Sequence, residues 1–141
     1  MKSPKEKQIE NRILELVTGR ALTLAERLFA DKEIETLQEY ANTVSINRMN
    51  FNDHGPVHMK TVARNALVIA GILHRAGIAY TLEREDDGDF EDVQMILLLA
   101  SLLHDIGMTV GREEHERMGV ILSLPIIDRI LSAIEPDLPK K

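Results

Sequence analysis

His104 and Asp105 end a long apolar run, Val93-Gln94-Met95-Ile96-Leu97-Leu98-Leu99-Ala100-Ser101-Leu102-Leu103, and are followed by Ile106-Gly107. An imidazole and a carboxylate in that position need partners, because an uncompensated charge in an apolar setting costs several kcal/mol. A metal ion satisfies both side chains at once. Upstream, Asn52-Asp53-His54-Gly55-Pro56-Val57-His58 supplies two further imidazoles, and downstream His115 supplies another. Four of the five histidines thus sit beside helix-boundary signals. The fifth, His74, lies beside Arg75 near a helix end, where a cation suits the helix dipole, and reads as a terminus residue. The chain has no cysteine, so any metal is held by nitrogen and oxygen donors. That donor set suits Mn²⁺, Fe²⁺, Co²⁺, Ni²⁺ or Zn²⁺, whereas Mg²⁺ prefers more oxygen.

The elements that must position these residues read as helices throughout. Ser3-Pro4 has the form of an N-cap and first helical residue, with Ile9, Ile13, Leu16, Val17, Leu24 and Leu28 following at helical spacing and Gly19 breaking the segment in two. Asp31 is expected to cap a helix through Ile34, Leu37, Gln38 and Ala41, with residues 42–51 as a connection. Gly55-Pro56 starts the next helix, which runs through Val62, Ala66, Ile69 and Leu73 to a C-terminal Gly77. Ile78 to Leu82 suggests a short extended piece. Asp89 caps the apolar helix that leads to His104-Asp105. A helix carrying His115, Met118 and Val120 follows, and Pro125 is expected to open the last one. The fold class is therefore all-α, a compact bundle of about five to seven helices in a single domain over residues 1–141, with the apolar helix at its centre. If the helix of His58 and the helix ending at His104 pack antiparallel, two imidazoles and a carboxylate meet at one end of the pair.

Composition narrows the function. At 141 residues the chain has the length of one domain, and 44% hydrophobic and 28% charged residues are ordinary for a globular protein. A net charge of -6 argues against an extended nucleic-acid surface. The acidic stretch from Glu83 to Asp92 lacks the alternation and closing Glu of a calcium loop, and reads as a solvated loop ending in a helix cap. No apolar run approaches the roughly 20 residues of a membrane span, and Met1-Lys2-Ser3-Pro4 lacks a signal peptide's apolar core. These features, with the absence of cysteine, point to a cytoplasmic protein without a membrane partner. The apolar N-terminal helices leave room for packing against a second copy, a homo-oligomer. No Gly-rich phosphate loop or aromatic base-stacking platform is present, and aromatic residues make up only 4%.

Three segments together carry a family resemblance. They are His58-Met59-Lys60-Thr61-Val62-Ala63, Leu102-Leu103-His104-Asp105-Ile106-Gly107 and His115-Glu116-Arg117-Met118-Gly119. The pattern resembles the HD-domain superfamily of metal-dependent phosphohydrolases over about residues 50 to 125. The resemblance implies His58, His104 and Asp105 as metal ligands, and His115 as a second-metal ligand or a phosphate contact. His54 is placed to orient substrate, to join the metal shell, or to hydrogen-bond its own loop backbone; Asp53 reads as a cap. The family's Ile-Gly-Lys is here Ile106-Gly107-Met108, and its closing aspartate comes from a later helix, where this chain has Asp128 and Asp137. The expectation is an N-terminal part of a longer HD domain, or a shortened relative.

The chemistry so implied is hydrolysis of a phosphate ester, nucleotide-like, by a phosphomonoesterase or phosphodiesterase. The metal activates water and polarises the phosphoryl oxygen, while His115 or His54 protonates the leaving oxygen. The alternative is a regulatory module that binds metal or nucleotide without turning it over.

Overall fold

The computed structural model describes residues 2–49 and 55–134, and among these the chain is all-α. The described residues form seven helices: α1 (Pro4–Leu14), α2 (Gly19–Ala30), α3 (Lys32–Met49), α4 (Pro56–Arg75), α5 (Thr81–Arg84), α6 (Phe90–Leu103) and α7 (His115–Ile134). A 3₁₀ turn over Ile106–Thr109 joins α6 to α7.

Local chemistry sets most boundaries. Ser3 Oγ accepts from the Glu6 amide while Glu6 Oε2 accepts from the Ser3 amide, a reciprocal capping box with Pro4 in the first turn. Asp89 and Asp92 make the same exchange at the start of α6. Asp31 accepts from the Glu33 and Ile34 amides at the start of α3. Gly19 (φ +54°) and Gly77 (φ +77°) occupy the left-handed region at the breaks before α2 and after α4.

Helix α6 is the centre. It buries Val93, Gln94, Met95, Leu98, Ser101, Leu102 and Leu103 against α4 and α2, and the 3₁₀ turn continues its line beneath α3 and α7. The α4–α6 pair is antiparallel: His74 at the end of α4 stacks on Phe90 at the start of α6, with ring centroids 3.8 Å apart, and His58 and His104 meet at the other end. The apolar faces of α1 and α2, carried by Ile9, Ile13, Leu24 and Leu28, are buried in the chain's own core.

Four expectations change. Helix α3 does not stop at Ala41 but continues to Met49, because Ala41, Val44 and Ser45 extend its buried face. Packing there outweighs the weaker helix propensity of Asn42, Thr43 and Val44. Residues 81–84 form a helical turn rather than an extended piece, with Glu83 accepting from the Tyr80 amide and the Tyr80 hydroxyl donating to the Ala70 carbonyl. Pro125 lies inside α7 rather than opening a new helix. Gly119, Ser123, Ile126 and Ile130 continue one buried face through it, which holds the two halves in line despite the missing N–H. Finally, Phe90–Thr109 is long and apolar enough to cross a membrane by composition, yet 61% of it is buried inside the fold, as suits a core helix.

Part of the acidic stretch is tied down. The Arg20 guanidinium on α2 reaches Asp92 Oδ1 at 2.7 Å and both Asp89 oxygens at 2.9 Å, and its amide donates to Glu91. This clamp fixes the start of α6 on α2. Asp92's carboxyl lies below its usual value: burial alone would raise it, but the Arg20 guanidinium and the Asp89 amide outweigh that.

Candidate metal centre

Three side chains from two antiparallel helix ends converge. His58 sits in the first turn of α4, and His104 is the C-cap of α6. Asp105 follows with φ -99° and ψ 2°, the sparsely populated bridge region, which turns its carboxylate inward where it is only 5% exposed. Asp105 Oδ2 lies 3.1 Å from His104 Nε2 and 3.5 Å from His58 Nε2. One ligand atom from each of the three lies within 4.8 Å of the others. His115, the first residue of α7, approaches from the opposite side, with Nε2 4.0 Å from Asp105 Oδ1. The two oxygens of one carboxylate therefore face different imidazoles.

The rings are held from behind. His104 Nδ1 is 2.8 Å from the Ser101 carbonyl and His115 Nδ1 is 2.8 Å from the Arg112 carbonyl. A carbonyl only accepts, so in each ring Nδ1 carries the hydrogen and Nε2 points at Asp105. A neutral His104 would then aim a lone pair at a carboxylate oxygen. That repulsion is relieved by a proton or by a metal cation between them. The Asp105 carboxylate accordingly raises the pKa of His104; burial opposes the shift and the Ser101 carbonyl adds to it.

The donor set fits a divalent first-row ion. Two imidazole nitrogens and a carboxylate oxygen at bonds of about 2.0–2.2 Å around one ion would lie within about 4 Å of each other, close to the spacing present. Backbone hydrogen bonds that fix ring tautomer and direction are the supports that metal-ligating histidines require.

The surrounding packing positions the doublet. The buried Gln38 on α3 donates through Nε2 to the Leu102 carbonyl at 2.8 Å, satisfying one of the carbonyls that the end of α6 leaves open. Lys60, 4% exposed and one half-turn beyond His58, meets Glu6 at 2.9 Å and Glu10 at 2.7 Å, which locks α4 to α1. Glu6 is held below its usual value: burial pushes it up, but the Ser3 amide and the Lys60 ammonium outweigh burial. Gly107 lets α7 press directly on the 3₁₀ turn, since a Cβ there would stand 1.8 Å from the His115 carbonyl oxygen. Gly119 meets the His104 carbonyl in the same way, at 3.1 Å. Glu114, with φ +57°, turns the chain into α7 just before His115.

Of the residues singled out from sequence, His58, His104 and Asp105 come together and His115 adjoins them. His54 and Asp53 lie outside the described residues, as does Asp137. Asp128 is exposed on α7 and is not part of the cluster, while its neighbour Arg129 pairs with Asp31 and Glu33. Met108 is 3% exposed and belongs to the core. His74 stacks on Phe90 at the far end of the helix pair. The supporting roles of Gln38, Lys60 and Gly119 are not signalled by the spacing that marks the cluster. A polar residue on an otherwise apolar helical face was the available sign for the first two.

No family model matches the chain, and no solved structure matches it. It is similar to an uncharacterized protein of Methanocaldococcus jannaschii, 35% identical over 118 residues that make up 84% of this chain and 46% of the relative. The chain thus spans about half the length of that curated relative.

Proposed function

We propose that this chain is an HD-type, metal-dependent phosphohydrolase acting on a phosphate ester. The observation that carries the reading is the His58–His104–Asp105 cluster, its ligand atoms within 4.8 Å of one another. A divalent ion held there would supply an acidified water, with a pKa lowered toward about 7, and polarisation of a phosphoryl oxygen. The chain's own residues do the rest. His58 and His104 offer Nε2, and Asp105 offers Oδ2. The Ser101 carbonyl keeps His104 in the required tautomer. His115, across Asp105 from the other two, holds a phosphate oxygen or delivers a proton to the leaving oxygen. Were a second ion bound, His115 Nε2 and Asp105 Oδ1, 4.0 Å apart, would be the residues to hold it.

The test is elemental analysis of the purified chain together with turnover of a phosphate-ester panel in Mn²⁺ or Co²⁺. His104→Ala and Asp105→Ala are expected to lose bound metal and activity together. Wild-type turnover in either variant would refute the assignment. A second reading is a module that binds metal without turnover. It is favoured by the three ligands gathered among the described residues, with exposed Asp128 not among them. Stoichiometric metal with no turnover of any ester would select it.

A further inference from the structure

A groove of about 680 Å³ runs between α6 and α7 and opens at one end onto the cluster, where His104, Asp105 and His115 line it. Away from that end its walls are aliphatic, built from Ile96, Leu99, Leu103, Val120 and Ile127. Ser123, part-way along, already donates its hydroxyl to the Val120 carbonyl. Among the described lining residues there is no lysine, arginine, phenylalanine, tyrosine or tryptophan; the only rings are the His104 and His115 imidazoles at the cluster end, where Glu116 adds a carboxylate. The volume lies within the range of small-molecule sites, which are mainly apolar with a few convergent polar groups.

Helix α6 makes this groove unusual. Its core face is apolar, as burial demands, but its outward face is apolar too, with Ile96 54% exposed, and Val120, which lines the same groove from α7, is 59% exposed. A helix apolar on all sides is normally covered on all sides. The fold gains nothing from an exposed isoleucine at this position, whereas an apolar ligand would. From Ile96 to Asp105 the helix line covers about 13 Å, the length available to a straight chain whose head reaches the cluster. A nucleotide is poorly matched, since along the aliphatic length beyond the cluster no ring stacks a base and no lysine or arginine meets a second phosphate.

We infer that the groove binds the unbranched aliphatic body of an amphiphilic phosphate monoester, with its phosphate at the His–Asp cluster. The assignment of the head group rests on the phosphohydrolase reading above; that of the body rests on the groove itself.

The experiment titrates a series of non-hydrolysable n-alkyl phosphonates, ethyl to decyl and below their micelle thresholds, into the full chain with and without Mn²⁺. Affinity is expected to rise about two- to fourfold per added methylene until the groove is filled. Val120→Asp and Ile96→Asp, both at exposed positions, should flatten that slope, while Ile72→Asp, on an exposed part of α4, should preserve it. A flat wild-type slope overturns the inference, including the case in which a second copy or another helix occupies the groove. A slope unchanged in both groove variants, or adenosine monophosphate binding more tightly than octyl phosphonate, overturns it as well. The Mn²⁺ dependence of the affinities is a separate readout: a retained slope that ignores Mn²⁺ supports the groove and refutes the metal reading.

Discussion

Gly107→Ala places a methyl group where the structure has backbone on the other side. The added Cβ would stand 1.8 Å from the His115 carbonyl oxygen, 2.5 Å from the Gly119 nitrogen and 2.8 Å from the His115 carbonyl carbon. None of these atoms can swing aside as a side-chain tip could. An ordinary contact begins near 3.4 Å, so the start of α7 must retreat by about 1.6 Å from the 3₁₀ turn in a close-packed interior. Overpacking of this kind costs about 1–3 kcal/mol, which for a domain of this size lowers the melting temperature by about 3–10 °C. The retreat also carries His115 away from Asp105 Oδ1, now 4.0 Å distant, while His58 and His104 keep their places. Thermal unfolding followed by circular dichroism reads the first effect, and metal stoichiometry with turnover reads the second. Gly111→Ala is the control, because its Cβ meets nothing within 4 Å and should change stability by no more than about 0.5 kcal/mol. Equal melting temperatures for the two variants would refute the packing of α7 on the turn.

The raised pKa of His104 predicts a pH dependence that reverses with metal. In the metal-free protein its contribution is fully present below the unfolded histidine value of about 6.5 and is lost as pH rises through the folded one. Protons compete with metal for Nε2, so the melting-temperature gain from Mn²⁺ should grow from pH 6 to pH 8; a gain independent of pH would refute the sharing of that nitrogen. Lys60→Met leaves Glu6 without its cation and Glu10 with Lys2 alone, at a cost of about 3 kcal/mol, and adding Glu6→Gln should recover most of it in denaturant titrations. The lowered pKa of Glu6 works in the acid direction: its stabilisation is present above the unfolded carboxylate value of about 4.3 and is lost as pH falls through the folded value, so Glu6→Gln should blunt acid unfolding below pH 4.5. Arg20→Ala releases three carboxylates at the start of α6 and should cost about 1 kcal/mol, less in 1 M salt; a salt-independent loss would point to packing instead.

The cluster was legible because its parts sit at chemically marked places. Pro56 announces the start of the helix that carries His58, the apolar run announces the one that delivers His104, and short-loop antiparallel packing joins the two ends. What could not be read was the support from distant elements. Nothing local to Gln38 says that its amide will meet the Leu102 carbonyl, and nothing local to Lys60 names Glu6 and Glu10. The α3 boundary was misplaced for the same reason, since Val44 and Ser45 become helical by being buried rather than by propensity. Pro125 shows the limit of punctuation: a breaker is overridden when the same face is buried on both sides of it.

The polar clamps also bear on how the chain reaches this state. Lys60 joins Glu6 across 54 positions, Arg20 joins Glu91 across 71, and Arg129 joins Asp31 across 98. Each of these contacts closes a loop of 54 residues or more, and loop-closure entropy is spent before such contacts reward it. Helices α1 and α2 precede α4, α6 and α7 in the chain, and beyond their contact with each other their main partners lie on those later helices. Their full docking therefore waits on those later helices, and folding should be slower and more all-or-none than in bundles whose neighbours in space are all neighbours in sequence.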